Sequence, residues 1–168
     1  LSRRPGVRLV LVGRDMNAPD RQTRLERLRE HGATVHDHAL DVGDAAQVDA
    51  LFAHLHDQGI QIDAIVHAAG VGGDQPLLEI APDDGRDIVA AKLDGTWNLH
   101  RASDPRHVRT FIVLSTMLSL WGARHKTHYV LANHLADRVM AYRRSRGLPG
   151  FSLQLGPVDC GMLGDAGK

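Results

Sequence analysis

Apolar residues in this chain fall into short continuous runs, separated by longer mixed segments in which they recur every three or four positions. The runs Val7–Val12, Thr34–Leu40, Ala64–Ala68, Thr110–Leu114 and Phe151–Leu155 each predict a strand. Between them, Asp20–His31 predicts a charged helix with Leu25 and Leu28 as its apolar edge, ended by Gly32. Val48, Leu51, Phe52 and Leu55 recur at helical spacing, and Asp87–Arg101 predicts a long helix carrying Lys92 and Trp97. A last helix opens at Tyr129 and shows Leu131, Leu135, Val139 and Tyr142 on one side. It closes on Arg143-Arg144-Ser145-Arg146-Gly147, where cations meet the negative helix end before glycine turns the chain. Val71–Asp84, with two glycines and two prolines, predicts a loop holding one turn of helix. This alternation is the signature of an α/β fold with a mostly parallel sheet.

Composition narrows the class. The 168 residues make one domain's worth of chain, long enough to bury a core. Lys+Arg and Asp+Glu both number 20, so no single-sign field draws in nucleic acid or an anionic membrane, and neither is expected as a partner. One cysteine, Cys160, leaves no internal disulfide framework and suits a reducing cytosol, so a cytoplasmic location is expected. Leu1-Ser2-Arg3-Arg4 is not a secretory signal, and no run approaches the roughly 18 apolar residues of a membrane span. Among the 11 histidines, His54 and His56 fall on different helix faces. His36 and His38 share a strand face, but no carboxylate or thiolate cluster joins them at ligand spacing, so no metal site is expected.

Candidate chemistry centres on Phe111–Asn133. A parallel strand ending in Ser115 and Thr116 delivers hydroxyls to the sheet's carboxyl edge, where open α/β sheets bind ligands. Tyr129 and Asn133, four apart on a helix, share a face. Each residue alone is ordinary; together a phenol, a hydroxyl and an amide make a proton-transfer site. Gly13-Arg14-Asp15 follows the first strand, the kind of place where a dinucleotide fold meets the adenosine ribose, and Arg14 there favours the 2′-phosphate of NADP. Asp41-Val42 and Ala68-Ala69-Gly70 put small residues where backbone approaches a flat cofactor, although Gly70 also reads as a turn glycine. Lys92, between Val89 and Leu93, is a candidate for a partly buried amine, whereas most such lysines snorkel to water.

These residues stand in the order LVLVGRD (9–15), Asp41-Val42, VHAAG (66–70), AAKLDGTWNLH (90–100), VLST (113–116), WG (121–122), YVLAN (129–133) and RSRGLPG (144–150). In that order the chain resembles a ketoreductase domain of a modular polyketide synthase, within the short-chain dehydrogenase/reductase superfamily. The resemblance covers nearly the whole chain, and VHAAG, K-x-x-G-x-x-N-L and Y-x-x-x-N are specific in combination. It implies a Rossmann-like, doubly wound parallel sheet. It also implies NADPH-dependent reduction of a β-ketoacyl group tethered by phosphopantetheine to an acyl carrier protein, with other synthase domains as partners. Tyr129 is then the general acid. Lys92 supplies the charge that favours the phenolate and holds the nicotinamide ribose. Asn133 orients the lysine or a relay water; in these ketoreductases the lysine precedes on the neighbouring helix and asparagine follows the tyrosine.

The chain departs from that pattern in three places. The family's catalytic serine lies 13 residues before the tyrosine and 24 after the lysine, and both counts land on Thr116. Threonine keeps the hydroxyl but adds a methyl and a stiff χ1, and Ser115 is turned to the other side of the strand. Stereochemical fingerprints conflict. Trp121 resembles the mark of A-type, L-hydroxyl-forming members. Of the B-type Leu-Asp-Asp triplet, Gly72-Gly73-Asp74 keeps Asp74 alone, and Lys126 replaces a histidine of one A subtype. The balance points to A-type. Finally, the first strand and glycine-rich phosphate loop are lacking. In a sheet ordered 3-2-1-4-5-6 that strand is central, and its absence leaves two rows of backbone groups unpaired. The 168 residues are therefore expected to be a fragment, or the ordered part, of a larger chain. Two rival readings stand beside the reductase: a reductively silent scaffold domain, and a free-standing oxidoreductase acting on a small ketone.

Overall fold

A computed structural model describes residues 6–81, 83–103 and 106–156. The five strands are β1 (Arg8–Gly13), β2 (Thr34–Ala39), β3 (Ala64–His67), β4 (Thr110–Thr116) and β5 (Phe151–Leu155). All pair in parallel, in two separate sheets, β1-β2 and β3-β4-β5. The chain likewise forms two compact units, dividing between Asp41 and Val42. The C-terminal stretch from Pro157 to Lys168, with Cys160, and the opening Leu1–Arg4 lie outside the described residues.

In the first unit, α1 (Pro19–Glu30) follows β1. Proline at its start needs no N–H partner there, and Leu25 is its buried anchor. In the second, α2 (Ala45–Asp57) is opened by Asp44, whose carboxylate accepts from Ala46 N at 2.9 Å and Gln47 N at 3.2 Å. Its buried face is Val48, Leu51 and Leu55, as the spacing predicts. The long helix read from Asp87 to Arg101 runs as α3 (Arg86–Val89), a π turn (Ala90–Asp94) and α4 (Gly95–Ala102). Helical periodicity carries no mark of that wider turn. A short α5 (Leu118–Trp121) occupies the turn-rich segment, and α6 (Thr127–Ser145) opens two residues before Tyr129.

The buried side of α6 corrects the sequence reading. Leu131 and Tyr142 are exposed, whereas Ala132, Asn133, Ala136, Val139, Met140 and Arg143 are buried. Small alanines let the helix lie close to β4, and the bulkier Tyr142 instead joins Trp97 and His100 at the surface, with ring centroids 6.1 and 5.8 Å away. The core beneath α6 is Ile65, Val108, Phe111, Val113, Ala136, Val139 and Met140. On the opposite face of the same sheet Val66 (55%), Phe151 (57%) and Leu153 (50%) stand exposed.

Arg143 is a charge inside this core, 1% exposed. Its Nε donates to the Pro149 carbonyl at 2.7 Å and its Nη1 lies 2.6 Å from His100 Nδ1. The guanidinium carbon stands 4.5 Å from the Phe111 ring centroid. Burial lowers its pKa, but a guanidinium stays charged, so these partners are what make the burial tolerable. Arg143→Ala is expected to lower stability by about 2–4 kcal/mol through lost hydrogen bonds and a cavity. Arg146→Ala, at an exposed position, should change it by no more than about 0.5 kcal/mol. Urea denaturation midpoints of the two variants check this.

Candidate active site

The site of the second unit is built around Lys92. The π turn widens the helix at Lys92, a distortion that often marks functional positions. Two side chains hold the Lys92 carbonyl: Thr96 Oγ1 donates to it at 2.5 Å, and His67 Nε2 lies 3.3 Å away. His67 is buried on β3. Burial, reinforced by the Lys92 charge, pushes its pKa down to about 4, so it is a neutral imidazole whose Nε2–H can donate. A Cβ on Gly95 would lie 2.9 Å from Val42 Cγ2 and 3.1 Å from His67 Cε1, so only glycine lets the helix come this near. One turn on, Asn98 Nδ2 donates to the Val42 and Gly43 carbonyls at 3.0 and 3.1 Å. The K-x-x-G-x-x-N spacing thus has a physical meaning: lysine for the site, glycine for close approach, asparagine to tie down the adjoining loop.

So placed, Lys92 is 4% exposed, and its Nζ donates to the Leu114 carbonyl on β4 at 2.9 Å. Burial pushes its pKa down to about 8, and the Asp137 carboxylate opposes that shift. Gly70, at the end of the β3 segment, lies directly against the amine. A Cβ there would be 3.3 Å from Lys92 Cε and 3.5 Å from Nζ. An open backbone cradle beside one buried ammonium donor fits the ribose end of a nicotinamide nucleotide.

Tyr129 is half-buried in the first turn of α6. Asn133 is buried, and its Nδ2 donates back to the Tyr129 carbonyl at 2.8 Å. Thr116 is buried at the end of β4, where its Oγ1 accepts at 3.2 Å from the backbone N of Leu118, the first residue of α5. Ser115 Oγ is sealed from solvent with no partner among the described residues. The structure therefore joins Lys92 to the strand that ends in Thr116, and joins Asn133 to Tyr129.

Of the remaining sequence candidates, Arg14 is exposed in the bend after β1 and Asp41 half-buried just after β2. The Gly13↔Ala39 register puts both at the carboxyl end of the first unit's sheet. In the second unit Val42 is half-buried, and Ala68 and Ala69 are exposed beyond β3. Asp74 Oδ2 accepts from Lys126 Nζ at 2.9 Å, a bond that holds the Asp74 carboxyl below its usual pKa, and His125 Nδ1 is 3.5 Å from Oδ1. Gln75 N donates to the His125 carbonyl at 2.8 Å. Two positions singled out by the stereochemical fingerprints are thus bonded to each other, beside a cavity of about 450 Å³ lined by Pro76, Leu77, Leu78, Arg124 and Thr127. Trp121 is 65% exposed at the end of α5, and Gly122 turns the chain there with a φ of +78°. Sequence reasoning missed the Asn98 tether, although its motif spacing was visible, and missed Asp137, which no motif marked.

The lysine makes a pH-dependent prediction. Its folded pKa of about 8 lies below the ordinary 10.5, so between those values the unfolded chain binds more protons and stability rises with pH. Below about pH 8 the penalty is fully present. The stability of the wild type relative to Lys92→Met should therefore rise by on the order of 2–3 kcal/mol between pH 7 and pH 10. Urea titrations of both proteins at pH 7 and pH 10 test it.

Comparison with known proteins accords with this geometry. The family model described as "KR domain" matches residues 1–160. The phenolphthiocerol synthesis type I polyketide synthase Pks15/1 of Mycobacterium bovis is 35% identical over 153 residues, 90% of this chain and 7% of that protein. Pks1 of Mycobacterium tuberculosis, also a phenolphthiocerol synthesis polyketide synthase and one whose name carries the word inactive, is 35% identical over 153 residues, covering 90% of this chain and 10% of that protein. The chain thus spans a tenth or less of the length of these relatives. Among solved structures, the ketoreductase from the first module of phoslactomycin biosynthesis in Streptomyces sp. HK803 matches with a TM-score of 0.86 and 30% identity, over 92% of this chain and 36% of that one. An N-terminal ketoreductase from the macrolactin assembly line matches with a TM-score of 0.89 and 25% identity, over 99% and 35%. The fold is accordingly α/β and Rossmann-like, with parallel sheets, and the chain belongs to the KR domain family, the ketoreductase domains of polyketide synthases.

Proposed function

We propose that these residues serve an NADPH-dependent reduction of a β-ketoacyl group, carried on an acyl carrier protein, to the β-hydroxyacyl product. The observation that carries this reading is the buried Lys92 amine, fixed to the Leu114 carbonyl against the open backbone of Gly70. When bound, the nicotinamide supplies a hydride to the ketone carbon. Tyr129 gives its phenolic proton to the ketone oxygen, and the Lys92 ammonium stabilises the phenolate left behind while bonding the ribose. Thr116 donates its hydroxyl to the same oxygen. Its Oγ1 already accepts from Leu118 N, but a hydroxyl that accepts one bond still has its proton to give. Asn133 holds the first turn of α6 through the Tyr129 carbonyl, and so fixes where the phenol stands. In the second unit Val42, Ala68, Ala69 and Gly70 line the nucleotide. The polyketide synthases that this chain matches support neighbouring synthase domains as partners, and the carrier protein that bears the ketoacyl chain is proposed with them.

A reductively silent domain is the second reading. Threonine at position 116 and the name of one relative favour it. NADPH oxidation by the full-length protein with a decalone as ketone separates the two. Turnover is expected, with kcat lowered about 100-fold or more by Tyr129→Phe and NADPH affinity little changed. Thr116→Ser should keep activity and Thr116→Val should lose most of it. Undiminished turnover with Tyr129→Phe would remove Tyr129 as the acid, and failure of the wild type to bind NADPH would establish the silent reading.

A further inference from the structure

Asp137 lies on α6 two turns after Tyr129 and one turn after Asn133. Its Oδ2 accepts from Ser119 Oγ at 2.9 Å and from Gln154 Nε2 at 3.1 Å. Ser119 Oγ is also 2.8 Å from the Thr116 carbonyl oxygen, and Gln154 is the register partner of Ser115. One carboxylate therefore ties α5 and β5 to the helix that carries Tyr129. Its second oxygen, Oδ1, is sealed from solvent and has no hydrogen-bond partner among the described residues. A buried carboxylate oxygen without a donor costs stability, so an aspartate here asks for a reason other than packing.

We propose that Asp137 is a positioning residue for the reduction: its carboxylate holds Ser119 of α5, the helix that follows Thr116, and Gln154 of β5 to α6, and it supplies the counter-charge to the Lys92 ammonium. The inference rests on the reductase reading above. Burial pushes the Lys92 pKa down, and Asp137 is the group that pushes it back up. Of the other titratable groups near the π turn, His67 on β3 is neutral. On α3, Arg86 and Asp87 are exposed, and on α4, His100 and Arg101 bond Arg143 and Asp49 instead. Tyr129 stands on the same helix as Asp137.

Steady-state kinetics over pH, in the full-length protein, test the idea. Asp137→Asn keeps size and an acceptor oxygen but drops the charge. It should cut kcat about tenfold and move the alkaline limb of the kcat/KM profile to lower pH. Ser119→Ala, which drops one hydrogen bond and keeps the charge, should lower kcat and leave the limb where it is. Asp137→Glu should keep the limb near its wild-type place, and a limb displaced as far as in Asp137→Asn would overturn the charge role. Wild-type kcat and limb in Asp137→Asn would overturn the whole proposal.

A second measurement does not need turnover. The melting shift caused by Asp137→Asn is compared in the wild-type and Lys92→Met backgrounds. Different shifts show that the two charges are coupled, and equal shifts sink the proposal even if the enzyme is active. Should the wild type fail to turn over, the reductase reading fails by itself, and this cycle still decides whether Asp137 and Lys92 act together.

Discussion

A lysine amine buried from water and bonded to a strand carbonyl sets the terms for the second unit of this protein. The bond from Lys92 Nζ to Leu114 O requires a helix to stand close over β4 and to aim a long side chain inward. Desolvating an ammonium is costly, and its lowered pKa records that cost. The surrounding structure over-determines the arrangement. Gly95 permits the approach, Asn98 ties the Val42–Gly43 backbone, and His67 and Thr96 grip the Lys92 carbonyl inside a widened turn. A buried amine of this kind persists where function needs it, because packing alone would select an apolar side chain.

The same constraint explains how much could be read from residues alone. Continuous β-branched runs announced all five strands, and the helical spacing of Val48, Leu51 and Leu55 announced the buried face of α2. Lys92 was legible as a partly buried amine because Val89 and Leu93 flank it. The π turn was not, since one extra residue in a turn leaves the apolar pattern almost unchanged. The inner face of α6 was misread because the leucines looked like core, whereas close packing on β4 selects Ala132 and Ala136. Arg143 looked like a cation facing the helix dipole in water. In the fold it turns inward to the Pro149 carbonyl, and that partner comes from a turn six residues further on. Asp137 was invisible for a related reason: a carboxylate on a mixed helix reads as solvated until its neighbours are known.

The sheets show what local pattern does not decide. Register and direction within each sheet follow from the strands themselves, but what covers a sheet's faces does not. On the β3-β4-β5 sheet the inward side chains of Ile65, Phe111 and Val113 meet α6, while Val66, Phe151 and Leu153 remain exposed on the other side. Those outward residues are as apolar as the inward ones. The sequence of a strand apolar on both faces therefore predicts the strand well and its covering poorly.

Two routes lead from β4 into the proposed chemistry, and they meet on one helix. Through its backbone, Leu114 accepts from the Lys92 amine. Through its last residue, Thr116, the strand passes to Leu118 at the start of α5, and from α5 Ser119 passes to Asp137. Asp137 returns to Lys92 as charge, closing the circuit on the helix that holds Tyr129 and Asn133. Hydrogen bonds set distances and charge sets protonation, so a change in either route should reach the phenol by a different path. Geometry and electrostatics are separable here because Ser119 carries only the first and Asp137 carries both.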